Sequence, residues 1–138
     1  VLFVGTHERQ LDEKGRVALP APFRSHLGEH CYLVFGEDQC INVVPADTFE
    51  TMAEQLMAQV ERGEVSRQRQ RAVSGSATLV AVDKQGRVNL DERLRDYAGI
   101  GTEQRVVVAG NFKVIEIWSP EIHQRITSAG VDDLAGTG

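Results

Sequence analysis

The chain has no apolar run long enough to cross a bilayer, and its opening "VLFVG" is too short for a secretory signal. An intracellular, cytoplasmic protein is the expectation. Cysteine is nearly absent: Cys31 and Cys40 are the only two among 138 residues. Both fall in apolar, strand-like stretches, "CYLVF" and "CINVV", either side of the turn "GEDQ". Pairing those strands about that turn sets Cys31 opposite Val44 and Cys40 opposite Phe35, so the thiols do not meet and no disulfide is expected. Without a second Cys/His cluster they do not read as a metal site or redox pair. They read as small buried hydrophobes.

Basic charge is also short. The formal net charge is −5 and the pI is about 5.3. This excludes a surface that attracts polyanions everywhere. Any nucleic-acid site must be a local basic patch on an acidic body, sensitive to salt and helped by repetition. Motifs of catalysis are missing as well. His7, His26, His30 and His123 are scattered without HExxH spacing, and there is no G-x-S-x-G, P-loop or G-x-G-x-x-G. No enzyme, metal, cofactor or small-molecule substrate is expected. The balance of 41% hydrophobic and 25% charged residues is ordinary for a globular protein. The length suits one compact domain or two very small halves.

What the chain does have is a unit written twice. "DEKGRVALP" starts at Asp12 and "DKQGRVNLD" starts at Asp83. The copies match at Asp12/Asp83, Gly15/Gly86, Arg16/Arg87, Val17/Val88, Leu19/Leu90, Arg24/Arg95 and Gly28/Gly99. Past an insertion at Ile100–Glu103, "CYLVFGEDQCINVVP" lies over "VVVAGNFKVIEIWSP", with Cys31 on Val106, Cys40 on Ile115 and Pro45 on Pro120. Each copy reads as one succession of elements. A strand ("THERQL" or "SATLVAV") enters the D-x-x-G-R turn, and a short strand follows ("VAL" or "VNL"). Then come one or two helical turns ("APFRSHL" or "DERLRDYA") ended by Gly28 or Gly99, a hairpin about "GEDQ" or "GNFK", and a closing helix.

The first closing helix offers Asp47 and Glu50 as a capping box, with Phe49, Met52, Leu56 and Val60 at helical spacing. The second, "SPEIHQRI", offers Ser119 as N-cap, Pro120 at its first position, and Ile122 with Ile126 as the inner face. A short helix, "SRQRQRAVS", links the copies, and "VDDLAGTG" reads as a mobile tail. The expected organisation is repeat one at 1–62, a helical linker at 63–75, repeat two at 76–128 and a flexible tail at 129–138. A copy of roughly sixty residues is too small to bury a convincing core alone, so the halves must pack about a pseudo-twofold axis.

Chemistry concentrates in the D-x-x-G-R turn. Glycine permits positive φ, aspartate accepts backbone N–H bonds, and arginine presents a planar fork to a carboxylate, a phosphate or a guanine edge. On residue chemistry two readings stand: an Asp–Arg pair that fixes the turn, or Arg16 and Arg87 exposed at equivalent places to touch DNA. "RGEVSRQRQR", residues 62–71, reads as a solvated helix face whose arginines spread around the cylinder.

With these residues in view, the chain resembles the MraZ family, bacterial transcriptional regulators associated with the division and cell wall gene cluster. "FVGTHERQLDEKGRVALPAPFR" is similar to the family's start, "AVDKQGRVNLDERLRDYAGI" to its second D-x-x-G-R, and "VVVAGNFKVIEIWSPE" to its E-I-W segment. The resemblance implies an α+β fold, a β-rich, barrel-like domain of two tandem repeats with short helices, AbrB-like and of swapped-hairpin type. It implies a sequence-specific regulator, nucleoid-associated, that binds short direct repeats of double-stranded promoter DNA as a ring-shaped homo-oligomer. The helix face Phe49–Met52–Leu56 is then expected to be partly buried between subunits. Carried over position by position, the DNA-binding residues are Asp12, Lys14, Gly15 and Arg16 in copy one, and Asp83, Gly86 and Arg87 in copy two; Gln85 stands where copy one has its lysine. The alternative is a scaffold of the same fold that makes protein contacts and no DNA contacts.

Overall fold

Alternating exposure along "THERQ" makes strand β1 (Thr6–Gln10), and the first turn hands the chain to β2 (Arg16–Ala18) and the single helical turn α1 (Ala21–Arg24). The hairpin β3 (His30–Phe35) and β4 (Ile41–Pro45) leads into α2 (Ala46–Glu61). The linking helix α3 (Arg67–Ser76) follows. Copy two repeats the order with β5 (Thr78–Ala81), β6 (Arg87–Asn89), α4 (Glu92–Ala98), β7 (Arg105–Asn111), β8 (Val114–Trp118) and α5 (Pro120–Ala135). This computed structural model describes residues 1–138. No helix is long and apolar enough to cross a membrane.

The copies are interleaved rather than merely adjacent. The main sheet runs β1-β7-β8-β4-β3-β5, every pair antiparallel, so the first strand of each copy extends the hairpin of the other. A second, two-stranded ribbon pairs β2 with β6 through Val17↔Val88. The pseudo-twofold axis passes through that pair and through Asn42↔Glu116 between β4 and β8. This is the swapped-hairpin α+β architecture, with both partners supplied by one chain. One cluster of 19 buried residues draws on both copies, including Leu11, Leu19 and Phe23 from the first and Leu90, Leu94 and Ile115 from the second. Each buried leucine contributes about 1.5–3 kcal/mol, and neither half could enclose these side chains alone.

Three local expectations are corrected. Cys31 lies opposite Pro45, not Val44, and Phe35 lies opposite Ile41, not Cys40. The Gly36 N–H instead donates to the Cys40 carbonyl at 2.8 Å. The cause is loop length. The first hairpin turns through Glu37–Gln39, whereas the second turns through only Phe112 and Lys113, because Asn111 already pairs with Val114. Beyond the turn Cys40 therefore corresponds to Val114 and Pro45 to Ser119, one position short of the Ile115 and Pro120 read from sequence. The cysteines are nonetheless free and fully buried, and desolvation pushes the Cys31 thiol up to about 11 and Cys40 higher still.

The Asp47–Glu50 capping box is the second correction. Pro45 occupies the N-cap, α2 starts at Ala46 with no side-chain cap, and Asp47 accepts only from the Thr48 N–H at 2.8 Å. The strand delivers its terminal proline straight into the helix, so Asp47 lies already inside the first turn, where its charge still suits the helix dipole. Ser119 caps α5 as expected, accepting from the Ile122 N–H at 3.3 Å. Third, Gly99 ends α4 in the left-handed region at φ 69; Gly28 shares that conformation at φ 72 and ends the turns that run on to Leu27, but α1 itself stops at Arg24 with Ser25 as its C-cap. α5 itself runs beyond "SPEIHQRI" to Ala135, its last turns exposed on all sides.

Candidate nucleic-acid interface

The two D-x-x-G-R turns close with the same bonds. In copy one the Asp12 N–H donates to the Arg16 carbonyl at 2.9 Å and the Gly15 N–H to the Asp12 carbonyl at 3.1 Å. Asp12 Oδ1 accepts from the Lys14 N–H at 2.9 Å and the Arg16 N–H at 2.8 Å, and Oδ2 accepts from Arg16 Nε at 2.7 Å. In copy two the Asp83 and Gly86 N–H bonds measure 3.0 and 2.9 Å. Asp83 accepts from the Gln85 N–H, the Arg87 N–H and Arg87 Nε at 2.9, 2.8 and 2.7 Å. Three donors on one carboxylate favour its charged form. The backbone N–H of Arg16, the largest cause, holds Asp12 below the usual carboxylate range, against a smaller opposing desolvation; Arg87 does the same for Asp83.

Both sequence readings are therefore partly realised. The Asp–Arg pair exists, and it uses only Nε. Nη1 and Nη2 of Arg16 and of Arg87 make no hydrogen bond to the protein, and the two side chains remain 32% and 28% exposed. The aspartate thus orients a guanidinium whose outer edge is unspent, which lowers the ordering cost of a bidentate contact. Arg16↔Asn89 and Ala18↔Arg87 are the pairs flanking Val17↔Val88 in the ribbon. Alternation then places both arginines on one face while the two valines fill the core on the other.

Gly15 and Gly86 have φ of +80° and +76°, a region that L side chains rarely adopt. They also lie under close neighbours. A Cβ on Gly15 would meet the Leu90 carbonyl at 2.9 Å and Arg95 Nε at 3.1 Å, and one on Gly86 would run into the side chain of Arg24. Each turn is pinned to the opposite copy: the Leu90 N–H donates to the Gly15 carbonyl and the Leu19 N–H to the Gly86 carbonyl, both at 2.9 Å. Arg24 Nη1 donates to the Gln85 carbonyl at 2.8 Å, and Arg95 Nε donates to the Leu90 carbonyl at 3.0 Å. Sequence reasoning left Arg24 and Arg95 out of the site. The signal was present, because they are a matched pair in the repeat.

The neighbourhoods of the two turns differ in charge. Copy one has Glu13 and Lys14 where copy two has Lys84 and Gln85. Glu103 joins the copy-one side, lining with Gln10, Leu11, Asp12, Glu13 and Arg16 a cleft of about 460 Å³. The copy-two turn is the more basic, although it lacks the lysine beside its glycine. The arginines of residues 62–71 lie elsewhere: Arg62 bonds Glu64 at 2.7 Å, Arg69 bonds Glu37, and α3 packs on β3 and α2. Arg67 and Arg71 are exposed there, apart from the ribbon.

A family model described as "MraZ protein, putative antitoxin-like" matches the chain twice, at residues 2–71 and 73–132. The proteins named "Transcriptional regulator MraZ" include three informative relatives. That of Salinispora arenicola is 37% identical over 134 residues, 97% of this chain and 93% of the relative. That of Roseiflexus castenholzii is 36% identical over 128 residues, 93% of this chain and 88% of the relative. That of a Nocardioides species is 41% identical over 128 residues, 93% of this chain and 87% of the relative.

Proposed function

The chain belongs to the MraZ family, and on that premise we propose that it is a sequence-specific DNA-binding transcriptional regulator. Its targets in this reading are short guanine-containing direct repeats in the promoter of the division and cell wall gene cluster, and it works in the nucleoid as a ring-shaped oligomer. The observation that carries the reading is the pair of arginines on one ribbon face, each tethered by Nε and each with both Nη groups free. Arg16 and Arg87 read guanine edges, each good bidentate contact discriminating by about 1–3 kcal/mol. Asp12 and Asp83 aim them. Gly15 and Gly86 let the backbone turn close to the duplex, and Lys14 adds a phosphate contact in copy one. A single such site on an acidic protein binds weakly, and repetition around a ring against evenly spaced boxes supplies the missing affinity through effective concentration.

The test is affinity for a direct-repeat duplex and for its scrambled counterpart, measured with melting temperature for Arg16→Ala and Arg87→Ala. Each variant is expected to stay folded and to lose about 1–3 kcal/mol on the specific duplex, with little change on the scrambled one. Undiminished specific affinity in both folded variants would remove the twin turns as the reader. No binding by the parent protein itself would favour the scaffold reading.

A further inference from the structure

The two hairpin tips are equivalent in the duplicated fold and opposite in character. Tip one is Glu37–Asp38–Gln39, acidic and polar, with Asp38 and Gln39 at φ 58 and 68. Tip two is Phe112–Lys113, and Phe112 also sits at φ 58. Aspartate tolerates that conformation, whereas a bulky aromatic there is an outlier: the two-residue loop calls for positive φ at its first position, where glycine is the usual residue and phenylalanine is strained. Phe112 is also 61% exposed. Its backbone exchanges hydrogen bonds with Phe3 at 2.7 and 2.9 Å, so the exposed Leu2 and Val4 flank it and widen the apolar patch. Because β4 and β8 run antiparallel about Asn42↔Glu116, the two tips point to opposite ends of the sheet.

Beside tip one lies a groove of about 1210 Å³ beneath the α2–α3 hairpin. Its floor and walls include Tyr32, Phe35, Phe49, Met52, Leu56 and Met57. Tyr32 stacks on Phe49 at 4.2 Å and Phe35 on Tyr97 at 4.0 Å, leaving ring edges and flexible thioethers as lining, chemistry that accepts an aromatic ring. Glu37, Asp38, Glu64 and Arg69 stand at the rim; Glu37 is paired with Arg69 and Glu64 with Arg62, so Asp38 is the rim carboxylate left without an ion pair. Copy two has no equivalent groove, since only α2 is followed by a second helix that folds back over the sheet, although Tyr97 of copy two helps to line this one.

We propose that the groove receives the Phe112 tip of a second copy of this chain, with Lys113 meeting the acidic rim at Asp38. The occupant follows from three features: an exposed aromatic in a strained turn, an aromatic- and methionine-lined groove, and a lysine beside the one with an ion-pair-free aspartate, Asp38, beside the other. Knob and groove sit at opposite ends of one molecule, so the contact is head-to-tail and propagates from copy to copy, forming the ring where its rotation closes. This assignment rests on the ring reading above, and identifies the surfaces that form it.

The test uses the full chain and two single variants, Phe112→Asp to spoil the knob and Met57→Glu to spoil the groove; Met57 is exposed and outside the core. Light scattering after size exclusion should find the parent oligomeric and each variant, with unchanged circular dichroism, at the mass of one chain. Mixing the two variants should restore a one-to-one dimer and nothing larger, because one intact knob and one intact groove remain. Phe112→Gly should also be monomeric, yet melt higher than Phe112→Asp because the turn is relaxed. An oligomeric parent whose variants keep its size overturns the knob-and-groove contact and leaves the ring reading standing. A monomeric parent overturns both, and monomeric variants that fail to pair on mixing overturn the head-to-tail geometry.

Discussion

The twin turns and the twin hairpin tips are equally old duplicates within this chain, and they have had opposite histories. Corresponding turn bonds differ by at most 0.2 Å, down to the Nε contact at 2.7 Å in both. The tips differ in length, charge and apolar content. The reason lies in what each touches. Each turn is a structural part of the other, through Gly15 to Leu90 and Gly86 to Leu19, so a change in one is felt by both. The tips project from opposite ends and are bound by no such reciprocity. Sites on the axis are held alike by the fold itself, while sites away from it are free to become a complementary pair.

The largest effect should come from breaking a turn at its glycine, and it should expose a difference the bond lengths hide. Gly86→Ala drives its methyl into the exposed side chain of Arg24, which can swing away only by giving up its bond to the Gln85 carbonyl, so the loss is that of positive φ, about 1–2 kcal/mol, plus that one exposed hydrogen bond. Gly15→Ala meets the same backbone penalty and also presses on the Leu90 carbonyl, which cannot swing away. A loss nearer about 3 kcal/mol is expected for it. Urea midpoints for the two variants, measured side by side, check the order; equal losses would mean that the carbonyl yields as readily as the arginine.

How much of this was legible in the sequence depends on the range of the interactions involved. The turn was legible because Asp, Gly and Arg act on one another within five residues. The swap of β1 and β5 was reached only through resemblance, since nothing in "THERQL" or "SATLVAV" specifies which hairpin it joins. The alignment through the second half of each copy slipped by one, because a three-residue and a two-residue hairpin loop look alike in apolar pattern while shifting every later position. The Asp47–Glu50 box failed because Pro45 continues a strand directly into a helix, which residue spacing does not reveal. Arg24 and Arg95 were visible as a matched pair and were passed over as helix residues. Arg24 acts on the other copy's backbone, a contact with no local trace, and Arg95 acts on the Leu90 carbonyl of its own copy, under the Gly15 turn of the other.

Arg24 offers a subtler way to sharpen the comparison. It reaches from copy one to the Gln85 carbonyl of copy two, whereas Arg95 bonds the Leu90 carbonyl within its own copy. Arg24→Met keeps the stem and removes the donor. In DNA affinity its loss should couple with Arg87→Ala by about 0.5–1.5 kcal/mol, because both act on the same turn, and should add to that of Arg16→Ala within about 0.5 kcal/mol. Equal coupling to both arginines in a double-mutant cycle would show the ribbon responding as one rigid body.

The smallest effect expected concerns acid. Asp12 and Asp83 each have a folded-state pKa below the unfolded value of roughly 3.9, chiefly because of the backbone N–H four residues on. A depressed carboxylate stabilises the fold at every pH above its unfolded value, and that contribution is lost as pH falls through the folded value. Both side chains are about one-third exposed, so the loss is modest and further screened by salt. The stability gap between the parent protein and Asp12→Asn should therefore be flat from neutrality down to about pH 5 and narrow below about pH 4. Asp83→Asn should trace the same curve, since the two carboxylates share their donors and geometry. Denaturation profiles at a series of pH values measure both gaps. If Asp12→Asn alone loses its pH dependence, the acidic company of Glu13 and Glu103 has made the copy-one turn electrostatically distinct, and likeness of bonds has not meant likeness of field.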